Sequence, residues 1–137
     1  MEVGTHPRKR GFGKTVLVVD DHAAIRKMLA TAFLSDGFKK CGEAADGKEA
    51  IELAKRIKPD VVTLDFSMPG LSGLHVASAL RKIFPKMPII LLTLYSNEIL
   101  KIEAANAGID LVLPKTVLLS TLIDKAHELM VDSQERG

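Results

Sequence analysis

Tryptophan is absent from this chain, and tyrosine and cysteine occur once each, at Tyr95 and Cys41. A single cysteine excludes an internal disulfide and predicts a reducing, cytoplasmic setting. No apolar run reaches the roughly 18 residues a membrane-spanning helix needs, so no membrane partner is predicted. The N-terminus is basic and lacks the apolar centre of a secretory signal. No internal repeat, low-complexity block or His/Cys cluster of zinc-binding spacing is visible. What is present is ordinary material for a single domain: 137 residues, 47% hydrophobic and 26% charged.

The net charge of +2 is unevenly placed. Arg8, Lys9, Arg10 and Lys14 against Glu2 put +3 on the first 14 residues, leaving −1 on the other 123. Residues 1–13 therefore read as a flexible basic tail, 14–131 as the folded domain and 132–137 as a frayed C-terminal tail. Nucleic-acid binding calls for a basic face on the domain itself, so direct nucleic-acid binding by this domain is not expected. A phosphate-contacting arm is the sharper reading of the tail.

Short apolar runs alternate with helical patterns. Strands are predicted at 15–19, 38–44, 61–64, 89–92 and 111–113. Helices are predicted at about 23–34, 48–57, 73–84, 97–107 and 119–130. Gly108 ends the fourth helix. Continuous apolar strands separated by helices imply an α/β fold: a doubly wound, five-stranded parallel sheet covered on both faces. The order 2-1-3-4-5 is the common flavodoxin-like solution, which periodicity alone does not select.

In such sheets the binding crevice lies beyond the carboxyl ends of the strands. The first strand ends at Asp20-Asp21, the third at Asp65 and the fourth at Thr93, and the fifth is followed by Lys115. Each has an ordinary reading: a helix cap, a loop acid, a strand residue, a surface cation. Their coincidence at one edge is what singles them out. Two like charges 4 Å apart repel by about 4 kcal/mol at an effective dielectric of about 20, and one lysine does not offset three acids. Either a carboxyl group is protonated or a cation binds. All-oxygen donors with open positions suit Mg²⁺, with Mn²⁺ as a substitute.

At these residues the sequence resembles the receiver domain of bacterial two-component response regulators. Val18-Val19-Asp20-Asp21 looks like the acidic pair of that family. Asp65-Phe66-Ser67-Met68-Pro69-Gly70-Leu71-Ser72-Gly73 is similar to its phosphoacceptor strand end and loop. Thr93 stands at the switch hydroxyl, and Ala107-Gly108 leads to Lys115. The resemblance covers about 14–131 and implies a (βα)5 receiver fold. It implies that Asp65 accepts a phosphoryl group from a sensor histidine kinase or a histidine phosphotransfer protein. It further implies that Asp20, Asp21, Asp65 and the Ser67 carbonyl hold Mg²⁺. Lys115 would neutralise phosphoryl oxygens, and Thr93 would swing to the new phosphate and alter the helix 4–strand 5–helix 5 face, where partners or a second copy bind. Such a domain promotes its own phosphorylation and dephosphorylation and is not a turnover enzyme.

Three positions depart from the family pattern. Val112 stands where an aromatic switch residue is usual. Thr116 follows Lys115 where a cis proline is usual, so a rearranged loop is expected. Leu94 replaces a small residue and is expected to narrow access to Asp65. Tyr95, Phe66 and Ser67 are expected at the rim, with Tyr95 and Ser67 tuning dephosphorylation. His22 reads as a first-turn residue, Cys41 as a core residue, and Val117-Leu118-Leu119 as core in part and contact surface in part. An alternative is a pseudo-receiver, an interaction domain that keeps the acids without switching by phosphate. A Mg²⁺-dependent phosphohydrolase is more remote, since the chain has no room for a substrate cap. No output domain follows Met130, which reads as a stand-alone regulator or a receiver separated from its effector. The partner kinase and the controlled process are not encoded in these motifs.

Overall fold

A computed structural model describes residues 12–95 and 97–136. Strands β1 (Thr15–Val19), β2 (Lys40–Ala44), β3 (Val61–Asp65), β4 (Ile89–Thr93) and β5 (Leu111–Pro114) alternate with five helices. The helices are α1 (Ala23–Ser35), α2 (Gly47–Ile57), α3 (Gly73–Ile83), α4 (Glu98–Asn106) and α5 (Leu119–Arg136). All strand pairs are parallel and the order is β2-β1-β3-β4-β5. The predicted doubly wound sheet is the observed one.

Alternation along the central strands divides two cores. Leu17, Val19, Val62, Leu64, Ile89 and Leu91 pack with residues of α2, α3 and α4. Val16, Val18, Val61, Ile90 and Leu92 pack with residues of α1 and α5. Every residue of β3 and β4 is buried, and both strands are predominantly apolar, with Thr63 the polar residue inside β3 and Asp65 and Thr93 at the ends. Helix starts are set by side-chain caps. Asp46 Oδ1 accepts from Glu49 N at 2.8 Å, and Glu49 Oε1 accepts from Ala45 N at 2.6 Å. Such a reciprocal pair fixes the start of α2. Ser72 and Asn97 cap α3 and α4.

Two predicted boundaries need correction. β2 begins at Lys40, not at residue 38. Phe38 instead packs into the α1/α5 core and makes an isolated antiparallel bridge to Phe12. The last helix runs to Arg136, so residues 132–136 are helical rather than frayed. Those residues lack an apolar face, so no periodicity marked them, yet Gln, Glu and Arg are good helix formers. The Ser133 hydroxyl also donates to the Lys86 carbonyl, tying this last stretch to the loop before β4. Of the basic tail expected at 1–13, residues 1–11 lie outside the described residues. Among the described residues no helix is long and apolar enough to cross a membrane.

Candidate functional site

The site is built where β1, β3 and β4 end. Asp20 follows β1, Asp65 is the last residue of β3 and Thr93 the last of β4. All three are at most 2% exposed, and carboxylates such as Asp20 and Asp65 are rarely so buried unless paired. Asp21 is exposed. One carboxylate oxygen from each of Asp20, Asp21 and Asp65 falls within 4.8 Å of the others.

Main chain and side chains hold these groups in place. Asp20 Oδ1 accepts from His22 N at 2.8 Å, and Asp20 N donates to Ala44 O at 3.0 Å. Asp65 Oδ1 accepts from Lys115 Nζ at 2.9 Å and from Ser67 N at 3.1 Å. Lys115 Nζ lies 3.9 Å from Asp20 Oδ2. Asp65 Oδ2 is buried without a hydrogen-bond partner. A buried, unpartnered carboxylate oxygen is costly, and it marks a position for a cation or a covalent bond. Burial raises the Asp65 carboxyl above its ordinary value, aided by the Asp20 charge and opposed by Lys115 and the Ser67 N–H. Gly73 allows the loop after β3 to fold back. Its N donates to Phe66 O at 3.1 Å, and a Cβ there would stand 2.6 Å from the Asp65 carbonyl oxygen.

The rim is different. Thr93 Oγ1 accepts from Tyr95 N at 2.9 Å. The Tyr95 ring meets Phe66 edge-on, with centroids 6.2 Å apart. Leu94 is 73% exposed, so its bulk stands in solvent rather than packed over the acids, contrary to the expected narrowing. Val112 is half-buried against the α2–α4 core.

The family profile described as the response regulator receiver domain matches residues 16–127. The chain belongs to the response regulator receiver family. It is similar to the chemotaxis protein CheY of Thermotoga maritima, 40% identical over 71% of this chain and 81% of that one. It is 41% identical to the transcriptional regulatory protein PdtaR of Mycobacterium tuberculosis over 86% of this chain and 57% of that protein. The chain thus spans little more than half of that relative. Among solved structures it is similar to CheY of Borrelia burgdorferi in its complex with CheX, BeF3 and Mg²⁺. That similarity has a TM-score of 0.83 and 26% identity, covering 90% of this chain and 98% of that one. The chain is thus homologous to CheY-type signalling domains, and its Asp20–Asp21–Asp65 cluster could hold a metal ion. The donor set fits a hard divalent cation: three carboxylates, one with an unsatisfied oxygen, and no sulfur or imidazole among them.

Remaining sequence candidates fall as follows. His22 is the N-cap of α1, its Nδ1 accepting from Ile25 N at 3.4 Å. The Cys41 thiol is pushed up to about 12, chiefly by burial and then by Glu43, so it is no ready nucleophile. Val117 and Leu119 line a cavity of about 110 Å³ that Asp20 and Lys115 also line, whereas Leu118 is exposed. No peptide bond among the described residues is cis, and Lys115 N donates to Thr93 O at 2.9 Å, tying the loop to β4. Sequence reading passed over Arg26 and Glu43. Their signal was weak: one arginine in a helix, and one acid in a strand.

Proposed function

We propose that this receiver accepts a phosphoryl group on Asp65, in a Mg²⁺-dependent reaction, from a sensor histidine kinase or a histidine phosphotransfer protein in the cytoplasm. The observation that carries this reading is the asymmetry of Asp65. One oxygen is held by Lys115 and Ser67 N, while the other is buried and unpartnered. The held oxygen orients the carboxylate, and the other can attack phosphorus. The P–N bond to the donor histidine breaks as the Asp65 O–P bond forms, and the donor imidazole keeps the electron pair. Asp20, Asp21, Asp65 and the Ser67 carbonyl would hold the cation. Bound there, Mg²⁺ (or Mn²⁺) supplies positive charge to the phosphoryl oxygens. Lys115 adds its ammonium at the same place and steadies the acyl phosphate.

Thr93 would then turn its hydroxyl to the phosphoryl group, giving up the hydrogen bond from Tyr95 N. The phosphate shifts an existing equilibrium only as far as its contacts differ between the two states. The readout would reach the α4–β5–α5 face, through which a target or a second copy binds. The relative solved with BeF3 and Mg²⁺ supports this reading. The domain would promote its own phosphorylation and dephosphorylation, without direct contact to nucleic acid.

The decisive experiment is incubation with acetyl phosphate and Mg²⁺, followed by intact mass. The expected result is one phosphoryl mass gain in the wild type and none in Asp65→Asn. A second reading, the pseudo-receiver, is favoured by Val112, which leaves β5 without an aromatic residue to follow Thr93. Mg²⁺ binding with no mass gain under any condition would support it.

A further inference from the structure

We infer that Arg26 is a positioning residue for the acid pocket, fixing the β1–α1 loop so that Asp20 and Asp21 converge with Asp65 on a divalent cation. The inference rests on the metal-binding part of the reading above.

Arg26 closes the first turn of α1, and its side chain is only 17% exposed. Its Nη1 donates to the Asp20 main-chain carbonyl at 2.7 Å, a short, charge-assisted bond. Its Nε donates to Glu43 Oε1 at 3.2 Å, and Glu43 Oε2 accepts from Lys27 Nζ at 3.2 Å. One guanidinium therefore links α1, the loop after β1, and β2. An ordinary surface ion pair would not need a donor spent on a main-chain carbonyl, and it would contribute little. Here that carbonyl belongs to the peptide joining the two loop acids, Asp20 and Asp21. Asp20 N is held by Ala44 O on the same β2 strand, so both peptides flanking the Asp20 side chain are pinned. Asp21 is exposed, and its place in the cluster is set by the backbone that carries it.

Charge and position predict opposite effects. A guanidinium near the acids repels a cation, so its charge alone would make removal tighten metal binding. Its hydrogen bonds order the ligands, so removal would weaken binding. Glu43 pairs with the guanidinium and offsets its charge, whereas outer groups that orient metal ligands are worth about 10–100-fold in affinity, so position is the larger effect.

The test is a titration of the full chain with Mn²⁺, following the free ion by electron paramagnetic resonance, with thermal unfolding measured in parallel. We expect Arg26→Gln to bind Mn²⁺ about tenfold or more weakly. Arg26→Lys should recover part of the loss, because an ammonium reaches the carbonyl but does not span to Glu43 as well. If Arg26→Gln does not fold, Arg26→Lys and Glu43→Ala read the same geometry, and both should weaken binding. Wild-type affinity in a folded Arg26→Gln with a lowered Tm would assign Arg26 to stability alone and overturn the inference. Tighter binding would overturn it in favour of charge. A wild-type chain that binds no Mn²⁺ would overturn the metal reading itself and this inference with it. Loss of binding in Asp21→Asn separates that case from failure of the inference alone.

Discussion

The floor and the rim of this site are built on opposite terms. The floor consists of Asp20, Asp65 and Thr93, all but fully buried and placed by three adjacent parallel strands. The rim and the helix after it carry Leu94, Tyr95, Ile99 and Ile102, each more than half exposed. Burial between packed layers gives the main chain of the floor one geometry and leaves its charges costly. The rim has few such constraints. It can change with little loss of core packing, which a signalling surface requires. Thr93 joins the two: its main chain belongs to β4, while its hydroxyl holds the Tyr95 N–H.

The largest expected effect bears on the floor. Asp65→Asn should abolish the phosphoryl mass gain, and a gain that persists would move the acceptor elsewhere. Next, Lys115→Ala should slow the initial rate of phosphorylation about a hundredfold, since a charged donor at the transferring oxygens is lost. An unchanged rate would limit Lys115 to the resting pair with Asp65.

The third prediction concerns stability and pH. The Asp65 carboxyl is raised, so the folded chain holds that proton more tightly than the unfolded chain. The stability it contributes is present below the unfolded value and is lost as pH rises through the folded one. Near neutral pH without metal, the ionised group therefore costs stability. Asp65→Asn should melt higher there, by about 2–4 °C for each kcal/mol recovered, and the gap should close on acidification. A gap that widens at low pH would reverse the assignment.

Smaller effects test the joint between floor and rim. Tyr95 is the only tyrosine and tryptophan is absent, so intrinsic fluorescence near 300 nm reports on this one ring. Phosphorylation should change that signal in the wild type but not in Thr93→Val, while the mass gain remains. A response surviving in Thr93→Val would uncouple the rim from the hydroxyl. Tyr95→Ala should alter the lifetime of the phosphorylated form. The smallest effect belongs to the rim alone. Ile99→Ser should change unfolding stability by no more than about 0.5 kcal/mol, where Leu91→Ala in the sheet should cost about 2–5 kcal/mol. Comparable costs would mean that the rim is as tightly packed as the floor.

Much of this arrangement was legible before any coordinates. Runs such as Val61–Leu64 and Ile89–Leu92 identify themselves as buried parallel strands because both faces need apolar side chains. A parallel sheet then delivers Asp20, Asp65, Thr93 and Lys115 to one edge. Boundaries were less legible where packing competed with pattern. Phe38 looked like strand, but its ring is claimed by the α1/α5 core. The last turns of α5 looked like tail because their polar sequence carries no apolar periodicity. Leu94 looked like an obstruction, though its direction depends on how the loop leaves β4.

Residue type, order and period were thus enough to indicate a parallel α/β sheet and its polar edge, because those follow from local chemistry repeated along the chain. Only the tertiary structure decided which oxygen of Asp65 is held and which is left without a partner. It alone brought Arg26 to the Asp20 carbonyl and to Glu43, seventeen residues farther along the chain. Such contacts depend on the distances and angles at which separate elements pack, and no periodicity in a sequence carries that information.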